Sequence, residues 1–155
     1  MQQYRKGRRL VSLCQQKIQD AQRNLARDNL EKKQIIEQMK QLEAQLRDFA
    51  DAIIAQQIAN GAVTRAEIYD QRKQLAILLH QRQQAQHEHN LLTDDLSQIE
   101  FSISQHQKLL SQLTRKEKKL TQWTQFVKKQ WAMRNDSAVD EETQDCVVLQ
   151  LQSSI

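Results

Sequence analysis

Asn60-Gly61-Ala62-Val63-Thr64-Arg65-Ala66-Glu67-Ile68 is the one stretch of this chain that strongly interrupts a helical pattern, and it decides the fold. Gly61 suits the left-handed position that closes a helix, because it has no Cβ to clash there. Thr64 and Glu67 have the S/T-x-x-E spacing of a capping box, which satisfies amide groups that a helix start leaves open. Val63 and Ile68 then stand where a hydrophobic staple forms across the same start. A helix end is therefore followed at once by a helix start at Arg65. So short a loop makes the two helices antiparallel neighbours.

Outward from this break there is almost no other punctuation. The 155 residues contain no proline and two glycines, Gly7 and Gly61, and glutamine is the commonest residue, at 28. Sandwiches, barrels and doubly wound sheets need a turn every dozen residues or so, and so are excluded. The hydrophobic share of 39% and aromatic share of 5% suit long helices with a narrow apolar seam. They argue against the deep, water-excluding pocket of an enzyme.

The seam has a heptad register. With Val11 at position a, the a positions are Val11, Ile18, Leu25, Lys32, Met39, Leu46 and Ile53. The d positions are Cys14, Ala21, Asp28, Ile35, Leu42, Phe49 and Gln56. After the break, Ile68 opens a second a series: Leu75, Arg82, His89, Leu96, Ile103, Leu110, Glu117, Thr124 and Trp131. Its d series is Gln71, Leu78, Ala85, Leu92, Ile99, His106, Leu113, Leu120, Val127 and Arg134. Apolar spacing sustained this long is the pattern of a coiled coil.

The expected fold is all-α: two long helices forming an antiparallel coiled-coil hairpin over 1–134, with a flexible acidic tail. Helix 1 is expected over about 4–60, the loop over 61–64, helix 2 over about 65–134 and the tail over 135–155. Pairing a with d outward from the loop centre sets Phe49 against Leu75, Leu46 against Leu78, Leu25 against Ile99 and Val11 against Leu113. The same rule sets Ile35 opposite His89, Ile18 opposite His106 and Tyr4 opposite Leu120. Residues past Leu120 would then have no partner in the chain. At 1.5 Å per residue the helices would run roughly 80 and 100 Å.

Charge is uneven along the chain. The net charge is +4, from 23 Lys and Arg against 19 Asp and Glu. Residues 135–155 hold Asp136, Asp140, Glu141, Glu142 and Asp145 and no Lys or Arg. A basic body with an acidic tail suggests an acidic partner for the body. Arg5, Lys6, Arg8 and Arg9 form one cluster and Arg115, Lys116, Lys118 and Lys119 another. The pairing rule sets them opposite each other as a collar of eight cations at the open end. A solvated charged face is the plain alternative. Beyond the collar, Trp123, Phe126, Val127 and Trp131 share one face; an unpartnered apolar stripe of this kind usually marks an interaction site, the alternatives being fold-back of Val147-Val148-Leu149 onto it or self-association.

Other chemistries find little support. No segment approaches the ~20 apolar residues of a membrane span. The basic N-terminus has no apolar stretch of the kind a secretory signal carries. Cys14 and Cys146 fit no metal or redox spacing, so a reducing compartment is the simpler setting. His80, His87, His89 and His106 offer no i, i+4 pair, so no metal site is expected. There is no phosphate-binding glycine loop, nucleophile elbow or zinc-protease helix. Neither catalytic residues nor a cofactor is expected. Polar residues stand in the seam at Asp28, Lys32, Gln56, Arg82 and Glu117; Asp28 and Lys32 read as register control, and a seam loosened by such residues could help the hairpin bend or twist.

Thr64-Arg65-Ala66-Glu67-Ile68-Tyr69 after a glutamine-rich helix resembles the hairpin tip of type III secretion central stalk proteins. Arg115-Lys116-Glu117, Trp123, a basic stretch and then Asp140-Glu141-Glu142 resembles their C-terminal part. This is the YscO/SctO/FliJ-like family, with the Salmonella invasion type the nearest in pattern. Ala66 departs from it, standing where an acid is expected, and the tail after Glu142 is longer and more apolar.

The resemblance implies a two-helix coiled coil without catalytic residues, cytoplasmic at the inner-membrane base of a virulence secretion apparatus. It implies insertion into the hexameric export ATPase, promotion of its activity and coupling to the cytoplasmic domain of the export gate. Chaperones of secreted substrates are a further implied partner. The collar and Trp123, Phe126 and Trp131 are the expected ATPase contact. Arg65, Glu67, Tyr69 and Arg72 are the expected gate contact. The alternatives are a generic coiled-coil scaffold, a chaperone-binding adaptor or, more remotely, a nucleic-acid-binding coiled coil. The collar has no interleaved aromatic platform for bases, so neither nucleic acid nor direct membrane insertion is expected.

Overall fold

Helix α1 spans Gln2–Ile58 and helix α2 spans Arg65–Ser153 in the computed structural model, which describes residues 1–58 and 64–153. The two long helices pack against each other, with no strand among the described residues. The start of α2 is the one read from the capping box. The Glu67 amide donates to Thr64 Oγ1 at 3.3 Å, and the Ile68 amide donates to the Thr64 carbonyl at 3.1 Å. Gly61 and Val63, assigned to the helix close and the staple, lie outside the described residues.

Burial follows the heptad residue by residue. From Val11 to Gln56 every a and d position of α1 is buried or half-buried, and Tyr4 and Gly7 extend the series by one heptad. In α2 the same holds from Gln71 to Val127, with Arg82 the exception. Such burial is what holds helices this long, because propensity alone leaves them marginal in water. The buried apolar set among the described residues is thin: Cys14, Ala21, Ile35, Ile53, Ala85 and Ile103. A two-helix seam covers one stripe of each helix and leaves the rest to solvent.

The chain divides into two compact units, Met1–Arg23 with Gln107–Ile155, and Asn24–His106. Within each, α1 and α2 run antiparallel, but not in the expected alignment. In the second unit Asp28 was expected opposite Leu96; it bonds Ser102 and His106 instead. Glu43, not Ile35, meets His89 there, at 3.2 Å. In the first unit the pairing rule would set Gly7 opposite Glu117; it lies against Thr124 and Trp123. Both units are therefore displaced by one heptad from the expected pairing. Such a displacement preserves a-to-d contact, so apolar periodicity cannot detect it.

Two further expectations change. Residues past Leu120 do have a partner: Thr124 is buried and Lys128 lies 5.9 Å from the Tyr4 ring. Helix α2 also does not stop at Arg134. It continues through the segment expected as a flexible tail to Ser153, with Thr143 Oγ1 donating to the Val139 carbonyl at 2.8 Å. Adding residues to an existing helix costs far less than starting one, and no proline or glycine intervenes. Every described residue from Lys128 to Ser153 is exposed.

Candidate functional site

The first unit brings its aromatic and basic residues together through one close contact. Gly7 is buried in the seam, and a Cβ built there would lie 2.5 Å from Thr124 Oγ1 and 2.9 Å from Trp123 Cζ3. Thr124 Oγ1 is held in place by donating to the Leu120 carbonyl at 2.7 Å. The missing side chain lets the helices approach, as small residues do at tight helix contacts. Trp123 leans over the gap, with its indole still 41% exposed. Phe126 and Trp131 are also exposed, at 57% and 44%.

Around them stands positive charge. The Arg8 guanidinium and the Lys128 ammonium each lie 5.9 Å from the Tyr4 ring centre, within reach of cation–π attraction. An open groove of about 480 Å³ runs here, lined by Tyr4, Arg8, Ser12, Thr121 and Lys128 among others. Arg5, Lys6 and Arg9 are exposed on the same turns of α1.

The other four cations do not join them. Gln15 Nε2 donates to Glu117 Oε1 at 3.1 Å, which sets the Arg115–Lys119 turn level with the residues around Gln15. The expected pairs, Arg5 with Lys119 and Arg9 with Arg115, are therefore offset by a heptad. The collar becomes two basic bands, and Trp123 and Phe126 accompany the Arg5–Arg9 band.

In the second unit Arg65, Glu67, Tyr69 and Arg72 are all exposed, Tyr69 at 69%. They share the first two turns of α2 as the sequence implied. The Glu67 amide is engaged with Thr64, so this residue belongs to the helix start as well as to the surface.

A third cluster, Asp28, Ser102 and His106, emerges only with the observed alignment. Asp28 is 6% exposed, and its Oδ2 accepts from Ser102 Oγ at 2.8 Å and from His106 Nδ1 at 2.7 Å. A carboxylate can only accept, so Nδ1 carries the proton. These are the residue types of a hydrolytic triad, but the wiring differs. The serine donates to the aspartate, whereas nucleophile activation needs it bonded to the histidine base. Sequence reading saw Asp28 and His106 separately; pairing them needs the alignment.

Among the described residues no group of three His, Cys, Asp or Glu is placed to hold a metal ion, and no helix is long and apolar enough to cross a membrane. Residues 5–147 match the family of the Salmonella surface presentation of antigen gene type M protein. The chain belongs to this family. It is a stalk-like family of type III secretion, so membership accounts for both paired helices and the large part of α2 that the match includes. No curated protein and no solved structure matches the chain.

Proposed function

We propose that this protein is the central stalk of a bacterial type III secretion apparatus, inserting into the hexameric export ATPase, promoting its activity and coupling it to the export gate. It works in the cytoplasm at the inner-membrane base. The observation that carries the reading is the family match over residues 5–147 of a chain made of two long packed helices. Paired helices of this length can bridge two bodies. Such helices contribute contacts and stiffness to a partner's chemistry.

The ATPase contact is assigned to Trp123, Phe126 and Trp131 with the bands Arg5, Lys6, Arg8, Arg9 and Arg115, Lys116, Lys118, Lys119. Exposed tryptophan and arginine are the usual anchors of an interface, and two bands of cations suit an acidic lining. The gate contact is assigned to Arg65, Glu67, Tyr69 and Arg72. Secretion chaperones are a further class of partner.

The test measures ATP hydrolysis by the purified export ATPase with and without the chain. Substituting Arg8, Arg9, Lys116 and Lys119 by Glu keeps helicity and abolishes stimulation; full stimulation by the folded variant removes the bands from the mechanism. For the gate, Tyr69→Ala with Arg72→Ala should weaken binding to the purified gate domain some thirtyfold, the loss of ~2 kcal/mol expected of an anchor. Affinity within about twofold of the parent would reverse the assigned orientation.

A further inference from the structure

The apolar seam of this chain suits two alignments equally. By the a-to-d rule, the observed alignment sets Val11 against Leu120, Ile18 against Leu113, Ile35 against Leu96, Met39 against Leu92 and Ile53 against Leu78. One heptad away, Val11 meets Leu113, Leu25 meets Ile99, Met39 meets Ala85, Leu46 meets Leu78 and Phe49 meets Leu75. Neither list has an apolar advantage. Two features show that the second alignment has room to form. Ile68, an a position of α2, is left 41% exposed, and the slip would bring it against Gln56. Seam position Arg82 is exposed as well.

Polar residues separate the two. In the observed alignment the Asp28 carboxylate, 6% exposed, accepts from Ser102 and His106, and Lys32 Nζ lies 3.5 Å from Glu100. One heptad away Asp28 would face Leu96 with Asp95 beside it, a buried charge with no donor and a like charge near. His106 would face Ile18. An uncompensated buried charge is among the most costly defects a seam can hold.

We propose that this pair of helices has two heptad-related alignments and that Asp28, Ser102 and His106 form the latch that selects one. The slip moves one helix past the other by about 10 Å, seven residues of helical rise. It also brings Arg5, Lys6, Arg8 and Arg9 level with Lys119, Lys118, Lys116 and Arg115, a crowding that salt screens. The inference concerns the chain's own packing and stands whatever its partners are.

The test is disulfide trapping in the full chain, with Cys14→Ala and Cys146→Ser as background and high salt throughout. Met39→Cys with Leu92→Cys reports the observed alignment; Met39→Cys with Ala85→Cys reports the slipped one. With the latch intact, the first pair closes within one chain at least about a hundredfold faster than the second, given the cost of burying Asp28 unpaired. The double change Asp28→Leu with His106→Leu removes the latch but leaves an apolar layer in either alignment, so the variant keeps its helicity. In it the slipped pair closes at a rate within about tenfold of the observed pair, as a seam without its polar specifier becomes degenerate. If the helical double variant still closes only the first pair, the alignment is set elsewhere and the latch is refuted. Circular dichroism on the same samples identifies loss of folding. Should the double variant lose its helicity, the three residues hold the fold as a whole, and that too overturns a purely selective latch.

Discussion

The layer at Asp28 and the layer at Gly7 both depart from the apolar seam, in opposite ways. In the Asn24–His106 unit a charge is buried and partnered, with two donors at 2.7 and 2.8 Å on one carboxylate oxygen. In the other unit a side chain is missing, and Thr124 and Trp123 close over the space. The first layer selects a partner by chemistry, because only a donor on α2 can satisfy it. The second selects by size, because any Cβ would collide. Apolar contacts supply the cohesion of such a seam, while its exceptions decide which residues face each other.

The largest break expected in this comparison is Asp28→Ala. It deletes the shared acceptor of Ser102 and His106 and leaves a gap, and should cost about 2–3 kcal/mol in urea unfolding, since the histidine stays partly solvated. A loss below about 0.5 kcal/mol would mean the carboxylate is not desolvated as drawn.

Gly7→Ala addresses the other layer. Alanine gains about 1 kcal/mol of helix propensity over glycine, but overpacking against the fixed Thr124 hydroxyl costs about 1–3 kcal/mol. The single variant should be less stable by roughly 1 kcal/mol on that balance. Adding Thr124→Ala removes the colliding oxygen and should restore stability to the parent level or above. Failure of this rescue in a double-mutant cycle would place the constraint on Trp123 instead.

Thr64→Ala sharpens the account at the start of α2. The hydroxyl caps the Glu67 amide at 3.3 Å, and its loss should cost up to ~1 kcal/mol in thermal unfolding. Smallest of all is truncation after Arg134. Every described residue it deletes is exposed, so unfolding free energy should change by less than about 0.5 kcal/mol while the helical circular-dichroism signal falls. A larger loss of stability would show that this stretch packs on something.

How much of this was legible in sequence varies from feature to feature. The heptad positions from Val11 to Gln56 and, Arg82 apart, from Gln71 to Val127 were readable because burial along a helix repeats with the residue pattern itself. The start of α2 was readable because capping is local chemistry, complete within Thr64–Ile68. The course of α2 beyond Arg134 was misread, because acidic composition reports poor packing, and a helix already under way needs only the absence of breakers. Tyr69, one position past the seam residue Ile68, is exposed.

The collar was misplaced for a different reason. Its grouping of eight cations rested on an alignment that periodicity leaves open by whole heptads. Asp28 was read as a register residue without a partner, since its partners lie 74 and 78 residues away in sequence. No local signal links them.

Sequence alone therefore determined that this chain is two long helices, which face of each is buried and where the second begins. Those properties follow from the period of the side chains and from hydrogen bonds within a single turn. Tertiary structure alone decided which turn of α1 meets which turn of α2. That choice depends on one buried carboxylate finding its donors and one glycine admitting its neighbour, and both are contacts between residues far apart in the chain.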